Sequence, residues 1–355
     1  MINSLQSLRF IFASLIFIHH FFTPRISVFG RFPVEFFFVL SGFVMSLRYT
    51  NSFLDHDYNY RDYLKKRLTK TFPIHWFALL LALMVKIVTM NINSHKELLF
   101  TLIPNFVLLQ SWIPSKFFYF SFNSPSWFLS DILFIYAIFP FLLKSFNKWK
   151  YLPVVILIVY ALAVYICPIT KQHAFIYINP LSRTVDFMLG MLLYHLLSNR
   201  HIIKTTHQIQ KLASFKKSIV EVIVVFMVFV FMVTNKYTDA RLGRTIMCSI
   251  PVIILIYTFF VTDQRGGIIS SLLNKRFIIK LGETSMPLFM FHVPIIWIYK
   301  YIMKHMDWSA NSIVGFICCL GATILISYLY TVYLETYLQQ YFNRIISKLW
   351  KRKLQ

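Results

Sequence analysis

The stretch FPVEFFFVLSGFVMSLRY, residues 32–49, carries one acid, Glu35, and no base before Arg48. As a helix rising 1.5 Å per residue it is long enough to cross most of a bilayer core of about 30 Å. Apolar runs of this kind recur along nearly the whole chain. Of its 355 residues, 57% are hydrophobic, 18% aromatic and only 14% charged, whereas a soluble domain holds about a quarter charged residues. Water is therefore not the main solvent, and the fold class expected is all-α: a polytopic transmembrane helical bundle.

Working outward from residues 32–49, apolar runs bounded by charge, Pro or Asn predict ten spanning helices. They lie near 4–24, 32–49, 72–91, 126–146, 151–167, 178–197, 218–235, 244–262, 284–304 and 311–334. The first run lacks the basic flank and small-residue cleavage site of a signal peptide and is read as a helix. Two further segments read as interfacial: 58–71, with Arg61, Lys65, Lys66, Arg67 and Lys70, and 96–118, broken by Pro104 and Pro114. No internal repeat is visible, so a single membrane domain over 1–340 with a basic tail over 341–355 is expected.

A net charge of +23 would suggest nucleic acid in a soluble protein. Here Lys and Arg cluster in short loops, where they act as topology signals, and the bilayer is the partner implied. With the N-terminus placed in the cytoplasm, the inner loops and tail hold 23 of the basic residues, more than twice the number in the outer loops. The positive-inside rule then predicts cytoplasmic N- and C-termini, which an even number of spans satisfies. Cys167, Cys248, Cys318 and Cys319 have no metal-ligand spacing and read as helix-packing residues, so no metal is expected.

An ionisable group inside the bilayer costs roughly 2.5–3.5 kcal/mol on insertion scales, so those retained in spans are functional candidates. Arg9 and His20 are eleven residues apart, three turns plus about 20°, and share a face of helix 1 with a rise of about 16 Å. His19 points about 100° away. With alternate helices running inward, Glu35, Trp127, Asp131, Arg183 and Asp186 fall at the depth of His20. A buried ion-pair network that only ties helices together is the competing reading, and Arg183 and Asp186, three residues apart, are able to satisfy each other. His292 precedes Pro294, which frees backbone groups that something polar must satisfy. Arg67 and Lys70 lie one turn apart before Pro73, which is expected to open a helix. Such basic clusters also bind anionic lipid.

The set resembles the membrane acyltransferase family 3, whose members decorate surface polysaccharides, peptidoglycan and some small molecules. Its opening motif, a base followed by His in helix 1, appears as Ser7-Leu8-Arg9 through His20. The Val-acid-x-Phe-Phe-Val-Leu-Ser-Gly-Phe stretch appears as Val34 to Phe43. Arg67, Lys70 and Pro73 match Arg-x-x-Arg-x-x-Pro, with Lys in the second basic place. Trp127-Phe128-Leu129-Ser130 with Asp131, Arg183-x-x-Asp186-Phe187-x-x-Gly190, and Leu281-Gly282-x-x-Ser285 leading to His292 complete the likeness.

The resemblance implies a multi-pass enzyme of the cytoplasmic membrane that moves an acyl group, most simply acetyl, from acetyl-CoA or another acyl-CoA to a glycan hydroxyl. On that reading His20 is the general base. Glu35 or Asp186 orients its other nitrogen, and Arg183 assists acceptor or oxyanion binding. Arg9, Arg67 and Lys70 would take the donor, and Trp127, Asp131 and His292 the acceptor. A covalent acyl-histidine is the alternative chemistry. A transporter using the His and carboxylates as a proton relay is the alternative function.

Overall fold

The computed structural model describes residues 2–22, 30–54, 58–89, 95–199, 206, 208–234, 248–263, 266–310 and 312–352. Among the described residues the chain is helical, with no strand. In order, the helices are α1 (Asn3–Phe22), α2 (Arg31–Leu54), α3 (Tyr60–Thr89), α4 (His95–Phe106), α5 (Lys116–Tyr119), α6 (Trp127–Lys148), α7 (Leu152–Ile166) and α8 (Pro180–Leu197). They continue as α9 (Ser214–Thr234), α10 (Ser249–Thr262), α11 (Ile268–Leu273), α12 (Arg276–Glu283), α13 (Ser285–His305), α14 (Ile313–Leu329) and α15 (Glu335–Arg352).

Seven helical segments among the described residues are long and apolar enough to cross a membrane: α1, α2, α3, α6 with the turn before it, α9, α13, and the continuous run from Ile313 to Trp350. Helix α7 has 15 residues and α10 has 14, shorter than a full span. Helix α8, with Arg183 and Asp186 in its first half, has 18. The first turn expected of the span at 244–262 lies outside the described residues.

Three boundaries differ from the sequence reading. The basic segment 58–71 is not a separate interfacial piece but the first half of α3, with Pro73 inside the helix rather than opening it. Neighbours on both sides of the proline pack inward: Thr71, Ile74 and His75 are buried. The span at 311–334 passes through a π-helical turn, Tyr330–Leu334, straight into α15. Segment 96–118 forms α4 and α5 with a 3-10 turn, Gln110–Trp112, between them.

The chain divides into two compact units. The first comprises Met1–Leu54, Leu142–Tyr177 and Leu181–Ser285. Here the first turns of α1 are tied down by hydroxyls: Ser4 Oγ donates to the Phe259 carbonyl at 2.9 Å and Ser7 Oγ to the Leu273 carbonyl at 2.6 Å. At Gly282 of α12 a Cβ would lie 2.2 Å from the Gln6 carbonyl, so this glycine lets α12 pack directly on the backbone of α1. Phe12 packs at a tilt against Phe36 of α2, with centroids 4.1 Å apart. Tyr160 and Val164 of α7 bury against Ile176, Val185 and Met188. Glu221 of α9, fully buried, accepts from the amides of Gly267, Ile269 and Ser270, serving from another helix the orphan N–H groups that open α11.

The second unit comprises Asp55–Phe141, Ile178–Pro180 and Met286–Gln355. Helix α4 runs back alongside α3: Leu98 and Leu102 pack with Leu79 and Ala82, and Phe106 stacks on Trp76 at 4.9 Å. Helix α4 ends in this apolar setting, where its last carbonyls need donors. His75 Nε2 serves Asn105 at 2.7 Å and Trp76 Nε1 serves Phe106 at 2.9 Å. The chain then reverses through a Schellman motif, with bonds from Leu109 N to Pro104 O and from Leu108 N to Asn105 O. Leu108 takes the position usually given to glycine, at φ 59°, a conformation costing roughly 1–2 kcal/mol in an L-residue. Helix α15 returns along α3, with Phe342 against Phe72 and Trp76.

Candidate active site

Helices α2 and α8 cross at a pair of glycines. A Cβ on Gly42 would meet the Phe187 carbonyl at 1.9 Å, and one on Gly190 would meet the Val39 carbonyl at 1.9 Å. Only glycine permits this mutual approach. Glu35 lies seven residues before Gly42, and Arg183 seven before Gly190. Seven residues return to the same helix face within about 20° and rise about 10 Å. The crossing thus aims Glu35 and Arg183 at the same depth, two turns along, with Asp186 one turn nearer the glycines.

At that level Arg183 is held on three sides. Its Nε donates to the Tyr177 carbonyl at 2.7 Å and its Nη1 to Asp186 Oδ2 at 2.5 Å. The guanidinium lies 4.4 Å from the centre of the Tyr177 ring and 5.5 Å from that of Phe38, distances at which the ring faces attract a cation. Glu35 sits in the field of both Arg183 and Asp186. Ser249, the first residue of α10, donates to Glu35 Oε1 at 3.2 Å and lies near Asp186. All four groups are buried, Ser249 completely. Arg183 and Asp186 do satisfy each other, and the addition of Glu35 and Ser249 makes a network of two carboxylates, one guanidinium and one hydroxyl. Sequence reading missed Ser249, since nothing local distinguishes it from a serine that starts a helix.

His20 occupies the last turn of α1, half-buried. Its Nδ1 donates to the Ile16 carbonyl at 3.0 Å, so the neutral ring carries its basic lone pair on Nε2. The Nδ1 acceptor is thus this carbonyl. His19 meets His20 edge-on at 5.0 Å, and its own ring packs against Gly30. Arg9, also half-buried, faces Gln6 Oε1 at 3.4 Å.

The remaining candidates belong to the second unit. Arg67 lies between two rings, 5.3 Å from the centres of both Tyr63 and Tyr136. The Tyr63 ring is positioned by a proline. Pro140 has no N–H to give the Tyr136 carbonyl four residues back, and Tyr63 Oη supplies the missing bond at 2.8 Å. Lys70, three residues on, is exposed.

Trp127 opens α6, and Asp131 is fully buried. Ser126 accepts from Gln110 Nε2 at 3.2 Å. Ser130 donates to the carbonyl of the strained Leu108 at 2.6 Å while accepting from Ser111. The start of α6 therefore clamps the reversal after α4. His292 is buried, with Nδ1 on the Phe289 carbonyl at 2.8 Å. Pro294 leaves the Met290 carbonyl unserved, and Asn123 Nδ2 fills it at 2.8 Å. This is the polar partner that the proline demanded, though its identity was not legible in the sequence.

A family profile described as an acyltransferase domain matches residues 2–332. Among curated proteins, acyltransferase MdmB of Streptomyces mycarofaciens is 30% identical over 125 residues, which is 35% of this chain and 31% of that protein. The alignment therefore spans about a third of that relative's length. No solved structure matches.

Proposed function

The chain belongs to the membrane acyltransferase 3 family, and from that premise we propose that it transfers an acyl group, acetyl in the simplest case, from acyl-CoA to a hydroxyl of a cell-surface or lipid-linked glycan. The single observation that carries this reading is the half-buried His20, whose Nδ1 is fixed on a backbone carbonyl so that Nε2 is the base. His20 Nε2 takes the proton of the acceptor hydroxyl as its oxygen attacks the thioester carbonyl. It returns that proton to the CoA sulfur as the C–S bond breaks. Arg183, held by Tyr177 and Asp186 without need of reorganisation, supplies positive charge for the oxyanion, and Glu35 and Asp186 set its position.

Arg67 and Lys70 take the donor phosphates, supported by the fixed guanidinium and the exposed ammonium one turn apart. Arg9 adds a third cation for the donor. Trp127, Asp131 and His292 contribute to the acceptor. In this reading ten spans place both termini in the cytoplasm of a cytoplasmic membrane, where acyl-CoA is made.

The test is acyl transfer by the purified chain in detergent. With radioactive acetyl-CoA and a lipid-linked saccharide extract, label should pass to the saccharide and vanish with His20→Ala. A protein that only transports would transfer nothing without sealed vesicles. Acid-labile label remaining on the protein after a rapid quench would replace the general base with an acyl-histidine.

A further inference from the structure

Trp297, Lys300, Tyr301, Lys304 and His305 follow the spacing i, i+3, i+4, i+7, i+8, which puts all five on one face of α13. Together with the last turn of α3 they line an open cavity of about 490 Å³, within the size range of small-molecule clefts. Among the described residues, no carboxylate lines it. The ring of His305 is pinned, its Nδ1 donating to the Tyr301 carbonyl at 2.9 Å with ring centres 4.1 Å apart.

Helix-end electrostatics explain only part of this cluster. A base in the last turn of α13 offsets the partial negative charge of its C-terminus. Lys300 lies more than a turn deeper, half-buried beside Trp297. Topology does not explain it either. Helix α3 carries five basic residues between Arg61 and Lys70 at its start, and the cavity adjoins its other end, roughly 30 Å away at 1.5 Å per residue. The positive-inside bias depletes cations on the side opposite such a stretch, so it does not account for this cluster. Ammonium groups bind phosphoryl oxygens as point charges. Indole and phenol rings beside them suit the boundary between headgroup and hydrocarbon.

We propose that this cavity binds the phosphate of a membrane amphiphile, with Lys300 and Lys304 as the phosphate ligands. Two sources present that chemistry: a bilayer phospholipid, and the polyprenyl phosphate that carries a lipid-linked saccharide. The second would extend the acceptor class proposed above. The site itself does not depend on acyl transfer.

The test measures binding to the purified full chain in nonionic detergent by thermophoresis. The probes are a polyprenyl phosphate, the uncharged polyprenol and phosphatidylglycerol. Lys300→Gln/Lys304→Gln should weaken polyprenyl phosphate binding by about ten-fold, from two lost charge contacts, with polyprenol binding unchanged. Lys304→Gln alone, at an exposed position, should give a smaller loss with an unaltered melting temperature. Phosphatidylglycerol competing with equal sensitivity to the variants identifies bilayer lipid as the ligand, and failure to compete identifies the saccharide carrier. Unchanged affinity in the double variant, or the same loss in a Lys148→Gln/Lys150→Gln control, overturns the site. Because acyl transfer is not read, a chain that transfers acyl groups yet fails here refutes this inference alone.

Discussion

His19 and His20 are chemically equal and adjacent, yet they have different surroundings. The Ile16 carbonyl fixes the tautomer of His20, whereas His19 packs against Gly30. His20→Ala should abolish acyl transfer at near-normal membrane abundance, while His19→Ala keeps most activity. Equal loss from both, measured against protein level, contradicts the assignment. Arg67→Ala and Lys70→Ala should raise the KM for the acyl donor more than the KM for the acceptor, as read from initial rates with each substrate varied in turn. Asp186→Ala leaves a buried guanidinium without its carboxylate, an error worth about 3–5 kcal/mol. Its melting temperature in detergent should fall well below that of Arg183→Met/Asp186→Leu, in which charge and counter-charge leave together. A double variant no more stable than the single one would show that Arg183 is neutralised chiefly by Glu35.

At the scale of helices, the crossing of α2 and α8 sets the position of the charged network. Gly190→Ala drives a methyl into the Val39 carbonyl, and backbones must part to admit it. A loss of roughly 1–3 kcal/mol is expected from such overpacking, together with loss of activity, because Glu35 and Arg183 are levered apart. Gly321→Ala in α14, where nothing lies within 4 Å, is the matched control and should be neutral or slightly stabilising through helix propensity. Equal melting temperatures for the two variants would remove the crossing from the account. Helix interruptions follow the same logic of long-range support. Pro140 and Pro294 each orphan a carbonyl, and Tyr63 and Asn123 from other segments fill them.

For the whole molecule, the proposed mechanism requires that the starts of α1 and α3 face the cytoplasm. Single cysteines at Lys66, Lys211, Lys275 and Lys116, in a background without the four native ones, report this directly. An impermeant maleimide applied to intact cells, or to spheroplasts where an outer membrane intervenes, should label position 116 and spare 66, 211 and 275 until the membrane is permeabilised. Labelling of 211 from outside with 116 protected would invert the topology and end the cytoplasmic donor route through Arg67 and Lys70.

Composition and run length alone determined that this chain is helical and lives in a membrane, because the free energy of placing a segment in hydrocarbon is set by that segment's own side chains. The positions of Arg9, His20, Glu35, Arg183 and Asp186 were legible for the same reason: a charge stands out in an apolar run. Tertiary structure decided what those charges touch. Ser249 joins a network with Glu35 from 214 residues away, and Asn123 serves a carbonyl 167 residues on. The turn at Leu108 has no glycine to announce it and is held by Ser130 from the next long helix. Helix α3 continues through Pro73, since tertiary packing outweighs the local preference to start there. Each of these rests on satisfying a backbone or buried polar group where water is absent, and the partner is chosen by which segments meet in space.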